Sequence, residues 1–189
     1  MRRPLRPALA ILFAAVVCSA NPRRAQKSAV APATPPQARP ADVSSPKAIL
    51  AAAYDVISGP AGKKRNWNRF RSLFAPGARL VPISPTKEGG FRSLAISPDE
   101  YITRGDPYFE RHGFYEREVS SKTERWANIA QVFSTYESRH EASDPSPFER
   151  GINSFQLFFD GHRWRIVTIM WQGETPAHRL TAQFLPRGK

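Results

Sequence analysis

Two apolar runs near the C-terminal end constrain the fold of this chain most strongly. Residues 152–159 and 164–171 are rich in Ile, Phe, Val, Trp and Thr, the residue types that favour β-strands. Asp160 and Gly161 lie between the runs, and this dipeptide readily adopts the positive φ of a tight turn. Both runs are apolar on both faces. We therefore predict an antiparallel hairpin that is covered on both sides.

The N-terminal segment has the three parts of a secretory signal peptide. Three arginines stand within the first six residues, residues 8–17 are apolar and uncharged, and small residues follow at positions 18–20. The apolar run is about half of the roughly 20 residues that cross a bilayer. We predict that residues 1–20 are a signal peptide, and that the exported mature protein, periplasmic or secreted, has no membrane span.

Cys18 is the only cysteine in the chain, so no intramolecular disulfide can form. Its place after the apolar run leaves open a lipoprotein anchored through Cys18. Residues 15–17 disfavour that alternative, because cleavage of a lipoprotein signal peptide needs a small residue directly before the cysteine, and Val17 occupies that position.

The rest of the chain divides by composition into a linker, a domain and a tail. Residues 21–46 are rich in Pro and Ala and almost free of large apolar side chains, which predicts a disordered linker. Residues 47–175 have the length of one ordinary domain, and residues 176–189 form a C-terminal tail.

The net charge of +12 raises the question of nucleic-acid binding. The first 47 residues carry eight basic residues and one acidic residue, whereas the remainder carries 20 and 15. In the domain the signs alternate, as at Glu116, Arg117 and Glu118, which is typical of a solvated face. The one compact basic run, residues 63–65, falls in a loop without stacking aromatic residues. We therefore predict no nucleic-acid partner.

The periodicity of the domain predicts two helices, two short strands, a third helix and four antiparallel strands. The first two helices cover residues 46–58 and 67–74, and the two short strands cover residues 78–83 and 91–96. The third helix begins at Pro98. The four antiparallel strands cover residues 114–125, 129–140, 152–159 and 164–171.

This order resembles the nuclear transport factor 2-like superfamily over nearly all of residues 47–174. The residues that carry the resemblance are Tyr54 and Asp55 on the first helix, ahead of the helix at 67–74, and the turn at 160–161 followed by Trp164 to Val167. It implies an α+β fold in which N-terminal helices pack in a strongly curved, mostly antiparallel sheet. Such a cone encloses a pocket, and unrelated activities use it.

The resemblance places candidate ligand-binding residues between the first helices and the concave face of the sheet. Alternation along residues 129–140 puts Tyr136 on the face that mixes small, hydroxyl and aromatic residues, which suits a pocket wall. We predict that Tyr54, Trp67, Phe70 and Tyr136 line one cavity.

Enzymes of this superfamily use acid–base groups in the pocket, and the candidates here are Asp55 and His140. Each has a plain alternative, since Asp55 can face solvent on its helix and His140 stands at a strand end beside charged residues. Residues 152–159 contain no Asp, Glu or His, which departs from the steroid-isomerase pattern. No metal or cofactor is predicted, because the four histidines stand singly and no phosphate-binding or nucleophile motif occurs.

Three functions remain open from the sequence. The first is an exported cone domain that binds a small apolar ligand, or forms a homodimer through the outer face of its sheet with Phe155, Phe159, Ile169 and Trp171. The second is a cofactor-independent isomerase, dehydratase or cyclase that uses Asp55 or His140. The third is a cell-envelope adaptor that uses the basic N-terminal arm.

Overall fold

The structure, a computed structural model, describes residues 36–186. Three helices and six strands follow one another in the predicted order: α1 (Pro46–Ile57), α2 (Trp67–Ser72), β1 (Phe74–Pro85), β2 (Phe91–Ser93), α3 (Pro98–Arg111), β3 (Tyr115–Trp126), β4 (Ile129–Arg139), β5 (Glu149–Phe159) and β6 (Trp164–Gly173). The predicted α+β fold is confirmed. None of the helices within residues 36–186 has the length and apolar character needed to cross a bilayer.

All six strands belong to one curved sheet with the spatial order β2-β1-β6-β5-β4-β3. Neighbouring strands are antiparallel except β1 and β6, which are parallel. Bulges interrupt β3 at Val119, between Glu118 and Ser120, and β6 at Val167, opposite Gln156 and Leu157 of β5. Because a bulge bends its strand and increases the local twist, these irregularities help the sheet to curl around the helices.

Helix α1 lies on the concave face of the sheet. Ser45 caps it by accepting a hydrogen bond of 3.1 Å from the amide of Ala48, and Pro46 occupies the first turn, where its missing donor costs nothing. The apolar face of α1 includes Leu50, Ala53 and Tyr54, all buried. The burial of this face gives the domain its core and positions Tyr54 over β4.

The C-terminal hairpin forms as predicted, but only one of its faces is fully covered. Gly161 has the positive φ expected for the turn, and Asp160 accepts hydrogen bonds from the amides of His162 and Arg163. On the concave side Phe155 and Ile169 are buried, whereas Phe158 and Met170 on the convex side are more than 40% exposed. The prediction that both faces are covered is therefore wrong, since the helices pack against one side alone.

The packed chain extends beyond residues 47–175 at both ends. Pro40–Val43 forms a 3₁₀ turn, and Asp42 in it makes two hydrogen bonds of 2.8 and 2.9 Å to Arg69 of α2. Phe184 stacks on Phe133 of the convex face, and its carbonyl accepts a 2.6 Å hydrogen bond from Thr135. The end of the predicted linker and most of the tail thus belong to the domain. The predicted signal peptide lies outside the described residues.

Candidate functional site

A cavity of about 180 Å³ lies between the helices and the concave face of the sheet. Seven of its 15 lining residues are aromatic: Tyr54, Phe70, Tyr101, Phe114, Tyr136, Phe155 and Trp171. Its polar groups are Glu116, Ser138, Glu149 and Asn153, and no Lys, Arg or His lines it among residues 36–186. Pockets for drug-sized ligands have about 300–1,000 Å³, so this cavity suits a smaller molecule.

A wider groove of about 610 Å³ runs outside the cavity, between α1 and β3. It shares Tyr54 and Glu116 with the cavity, but its other residues include Lys47, Arg117 and Arg139. The groove is larger, yet it holds solvated surface charges. The perturbed titratable groups and the aromatic wall meet in the inner cavity, which is therefore the better candidate site.

Glu116 is the central polar residue of the cavity. The Ser138 hydroxyl donates to one of its carboxylate oxygens over 3.0 Å, and the Asn153 amide donates to the other over 3.1 Å. Burial raises the pKa of Glu116 to about 7, and the nearby charge of Glu149 acts in the same direction, while the two hydrogen bonds oppose the shift. At neutral pH the carboxyl group therefore exists in both protonation states.

A chain of hydrogen bonds fixes Tyr54 beside Glu116. The Asn153 amide also donates to the Tyr54 hydroxyl over 3.2 Å, and that hydroxyl lies 2.7 Å from the Ser134 hydroxyl. Ser134 in turn donates to Glu118 over 2.6 Å, so Tyr54 is the donor to Ser134. Burial raises the pKa of Tyr54, which keeps the phenol protonated.

A second carboxylate stands at the mouth of the cavity. Glu149 is exposed to solvent, but one of its carboxylate oxygens accepts a 2.5 Å hydrogen bond from the Tyr136 hydroxyl. Gly151 makes this arrangement possible, because a Cβ there would lie 2.7 Å from the Tyr136 hydroxyl and 2.3 Å from the Gln172 carbonyl. The cavity thus carries one carboxylate inside and one at its opening.

Tyr101 of α3 differs from the other tyrosines of the wall. Its ring stacks on Phe70 at 5.4 Å and lies edge-on to Trp171 at 6.3 Å. Burial raises the pKa of Tyr101, but its hydroxyl has no hydrogen-bond partner within residues 36–186. No unpaired polar side-chain atom of the described residues is fully buried, so this hydroxyl remains accessible and is free to hydrogen-bond a ligand in the cavity.

Three of the four predicted ligand-binding residues meet at this cavity. Tyr54, Phe70 and Tyr136 all line it, so the two tyrosines lie on one side of the sheet. Trp67 does not line it. Its indole nitrogen donates to Asp106 over 3.0 Å, and its ring packs on Phe70 and Phe109 behind the wall. Ligand binding by the other three residues stays a prediction.

The two predicted acid–base residues lie away from the cavity. Asp55 is an exposed residue on α1 that pairs with Arg69, because it points toward α2 and the outer groove. His140 stacks on Phe148 at 4.2 Å, and its ring contacts the Gly113 carbonyl at 3.2 Å. Asp55 and His140 are therefore replaced by Glu116 as the acid–base candidate.

Sequence reasoning missed Glu116, Glu149, Asn153 and Tyr101. The alternating charges around Glu116 predicted a solvated face. In the sheet, however, Glu116 lies opposite Ser138, on the same concave face as Tyr136. β5 begins three residues before the predicted strand, which adds Glu149 to the inward-facing positions. No group of three or more His, Cys, Asp or Glu side chains within the described part of the chain has the geometry to hold a metal ion.

Comparison with known proteins supports the fold. The sequence matches no known family profile and no curated protein. A protein of unknown function with a cystatin-like fold from Nostoc punctiforme PCC 73102 is 9% identical, with a TM-score of 0.52 over 68% of this chain and 87% of that chain. NTF2-like proteins of unknown function from Shewanella baltica OS155 and Silicibacter pomeroyi DSS-3 are 11% and 16% identical, with TM-scores of 0.41 and 0.44. They cover 67% and 68% of this chain, and 89% and 92% of their own.

The curved, mostly antiparallel sheet around the helices is the architecture that the sequence predicted, and the match with a TM-score of 0.52 shares this fold. At these identities the likeness concerns architecture, and function is argued from the cavity.

Proposed function

We propose that this protein binds a small organic molecule in the cone cavity. The observation that carries the proposal is an aromatic-walled cavity whose polar groups converge on one space: the Glu116 carboxyl, held by Ser138 and Asn153, and the unpaired Tyr101 hydroxyl. Apolar walls with a few placed polar groups are typical of ligand sites. The sequence predicted a largely apolar ligand, whereas this lining favours a ligand with a polar end.

Two alanines on α1 allow a matched test of where binding occurs. Ala53 lines the cavity and is buried, whereas Ala51 is exposed and lines only the outer groove. Ligand-observed NMR with a set of small aromatic molecules would be run on the wild type, Ala53→Leu and Ala51→Leu. We expect Ala53→Leu to abolish binding, because the larger side chain fills the cavity, and Ala51→Leu to leave it intact.

Thermal unfolding of each variant provides the control for folding. Should Ala53→Leu fail to fold, Tyr101→Phe tests the same site by removing one hydroxyl, with an expected loss of about 0.5–1.5 kcal/mol in binding free energy. Binding that survives in Ala53→Leu and disappears in Ala51→Leu would move the site to the groove and refute the proposal.

A second function, proton transfer without a cofactor, is favoured by the pKa of Glu116 near 7. A general acid–base group works best when its pKa lies close to the ambient pH. Incubation with small aryl ketones in D₂O, followed by NMR, would detect deuterium incorporation next to the carbonyl. This function requires the exchange to be faster with wild type than with Glu116→Gln, and equal rates would exclude it for these substrates.

We propose further that the protein is exported, on the evidence of the signal-peptide pattern in residues 1–20. The intact mass of protein recovered outside the cytoplasm should correspond to a mature N-terminus near Asn21. A mass that retains residues 1–20 contradicts export with cleavage, and a lipid adduct on Cys18 would establish the anchored alternative.

Homodimerisation is proposed through different residues from those that the sequence suggested. Phe155, Phe159, Ile169 and Trp171 pack against the core on the concave side. The convex face instead exposes Ile129 and Phe158, which are directly paired on β4 and β5 and are 59% and 41% exposed. A second copy would cover this apolar surface. Sedimentation should then show a dimer that Phe158→Lys converts to a monomer, and a monomeric wild type would refute the proposal.

A further inference from the structure

We infer that the ligand of the cone cavity is a small organic cation, an amine or a quaternary ammonium, an inference that rests on the proposed ligand site. The lining pairs two carboxylates with seven aromatic rings and includes no basic side chain among the described residues. Charge and wall chemistry thus select the same class of ligand.

The charge balance of the cavity favours a cation. Glu116 inside and Glu149 at the mouth both line the cavity, and no Lys, Arg or His of residues 36–186 reaches it to offset them. The hydrogen bonds from Ser138, Asn153 and Tyr136 leave each carboxylate with acceptor sites that a donor cation can use. A neutral apolar ligand would instead strip water from Glu116 and offer it nothing in return.

The basic residues nearest to Glu116 do not alter this balance. Arg117 and Arg139 line the outer groove, and both are paired with Glu137, at 3.3 and 2.9 Å. Lys47 is exposed, and it lines the groove but not the cavity. The titratable groups that face Glu116 from the packed elements are otherwise acidic or phenolic: Tyr54, Tyr101, Tyr136, Glu118 and Glu149.

The aromatic wall of the cavity also favours a cation. The stacked pair of Tyr101 and Phe70 and the perpendicular Trp171 surround the cavity with π-systems. Aromatic faces attract an ammonium group, most strongly when both are shielded from water, and cages of this kind recognise quaternary ammonium ligands. The walls therefore stabilise the charge that the carboxylates attract.

The test uses three probes of one size and shape: benzylamine, benzyl alcohol and benzoate. Calorimetric titration of the full-length protein at pH 8, where Glu116 is mostly ionised, compares a cation, a neutral molecule and an anion. We expect benzylamine to bind at least about tenfold more tightly than benzyl alcohol, a difference on the scale of one desolvated cation–π contact. Benzoate should bind most weakly of the three.

Two variants separate the cavity from the groove. Glu116→Gln keeps the size of the side chain but removes the charge, and should reduce the preference for benzylamine to less than about threefold. Asp144→Asn, which removes a carboxylate that lines only the groove, should leave that preference unchanged. At pH 7 the wild type should also release a fraction of a proton for each benzylamine bound, because the cation favours ionised Glu116, and Glu116→Gln should release none.

Each outcome bears on a separate claim. If benzyl alcohol or benzoate binds as tightly as benzylamine, and Ala53→Leu blocks that binding, the cation inference is overturned while the cavity stands as a ligand site. If a preference for benzylamine survives in Glu116→Gln and is lost in Asp144→Asn, the cation binds in the groove and the inference is overturned. Binding of none of the three probes overturns both the inference and the proposed site.

Discussion

Replacement of Trp164 by Ala should lower the free energy of unfolding by about 3–5 kcal/mol, the usual cost of truncating a core aromatic residue. Trp164 is 2% exposed at the start of β6, where its ring packs at 5.5 Å from that of Phe159. The guanidinium of Arg125 on β3 lies 4.9 Å from the ring centroid, a cation–π contact that the substitution also removes. Urea titration monitored by circular dichroism measures the loss.

Trp126 provides a control of the same residue type. It is 78% exposed at the turn between β3 and β4, so Trp126→Ala should change the stability by less than about 0.5 kcal/mol when the protein is dilute enough to be monomeric. An equal loss in the two variants, or an unchanged midpoint in Trp164→Ala, would show that the hairpin does not pack as described.

The second large effect is a change in how stability depends on pH. The pKa of Glu116 rises from an ordinary value of about 4.3 to about 7 on folding, so the folded protein binds more protons than the unfolded chain between these values. Stability is therefore lost as the pH rises from about 4 to about 7, by up to about 3 kcal/mol for this half-buried group. Glu116→Gln should be as stable as the wild type at pH 4 and more stable at pH 8.

Taking the difference between variant and wild type cancels the other titrating groups, among them Asp42 and Asp160, whose lowered pKa values act at more acidic pH. Glu110→Gln, which removes an exposed carboxylate, should show no such difference at either pH. A Glu116→Gln variant whose stability parallels that of the wild type from pH 4 to pH 8 would mean that Glu116 remains hydrated.

The fold could be predicted because its elements are local in sequence. Ser45 and Pro46 start α1, Ser97 and Glu100 form the capping box of α3, and Gly161 allows the last turn. Each of these signals acts within a few residues, so the periodicity around it gives the element and its approximate bounds.

The candidate site could not be predicted, because it depends on the register of the sheet. From Trp126 opposite Ile129, regular pairing would place Glu116 opposite Arg139, on the convex face. The bulge at Val119 shifts the register by one residue, so Glu116 instead lies opposite Ser138 and faces the helices. A one-residue slip exchanges the two faces of a strand, and the sequence carries no local mark of this bulge.

Glu149 was missed for a related reason. Its strand was predicted to begin at Ile152, where the apolar run starts, but pairing with β4 and β6 continues through Gly151. Backbone hydrogen bonding thus extends β5 past its apolar residues, and the added positions alternate inward with Asn153. The alternation that correctly placed Tyr136 on the pocket side would have found Glu149 if the strand had been given its full length.

The proposed ligand site is tested most directly by crystals of the protein soaked separately with benzylamine and benzyl alcohol. We expect density for at least one of them inside the cone, with its aromatic ring against the aromatic wall and its polar end within hydrogen-bonding distance of Glu116 or the Tyr101 hydroxyl. Density for both probes confined to the groove between α1 and β3, with only water in the cone, would contradict it.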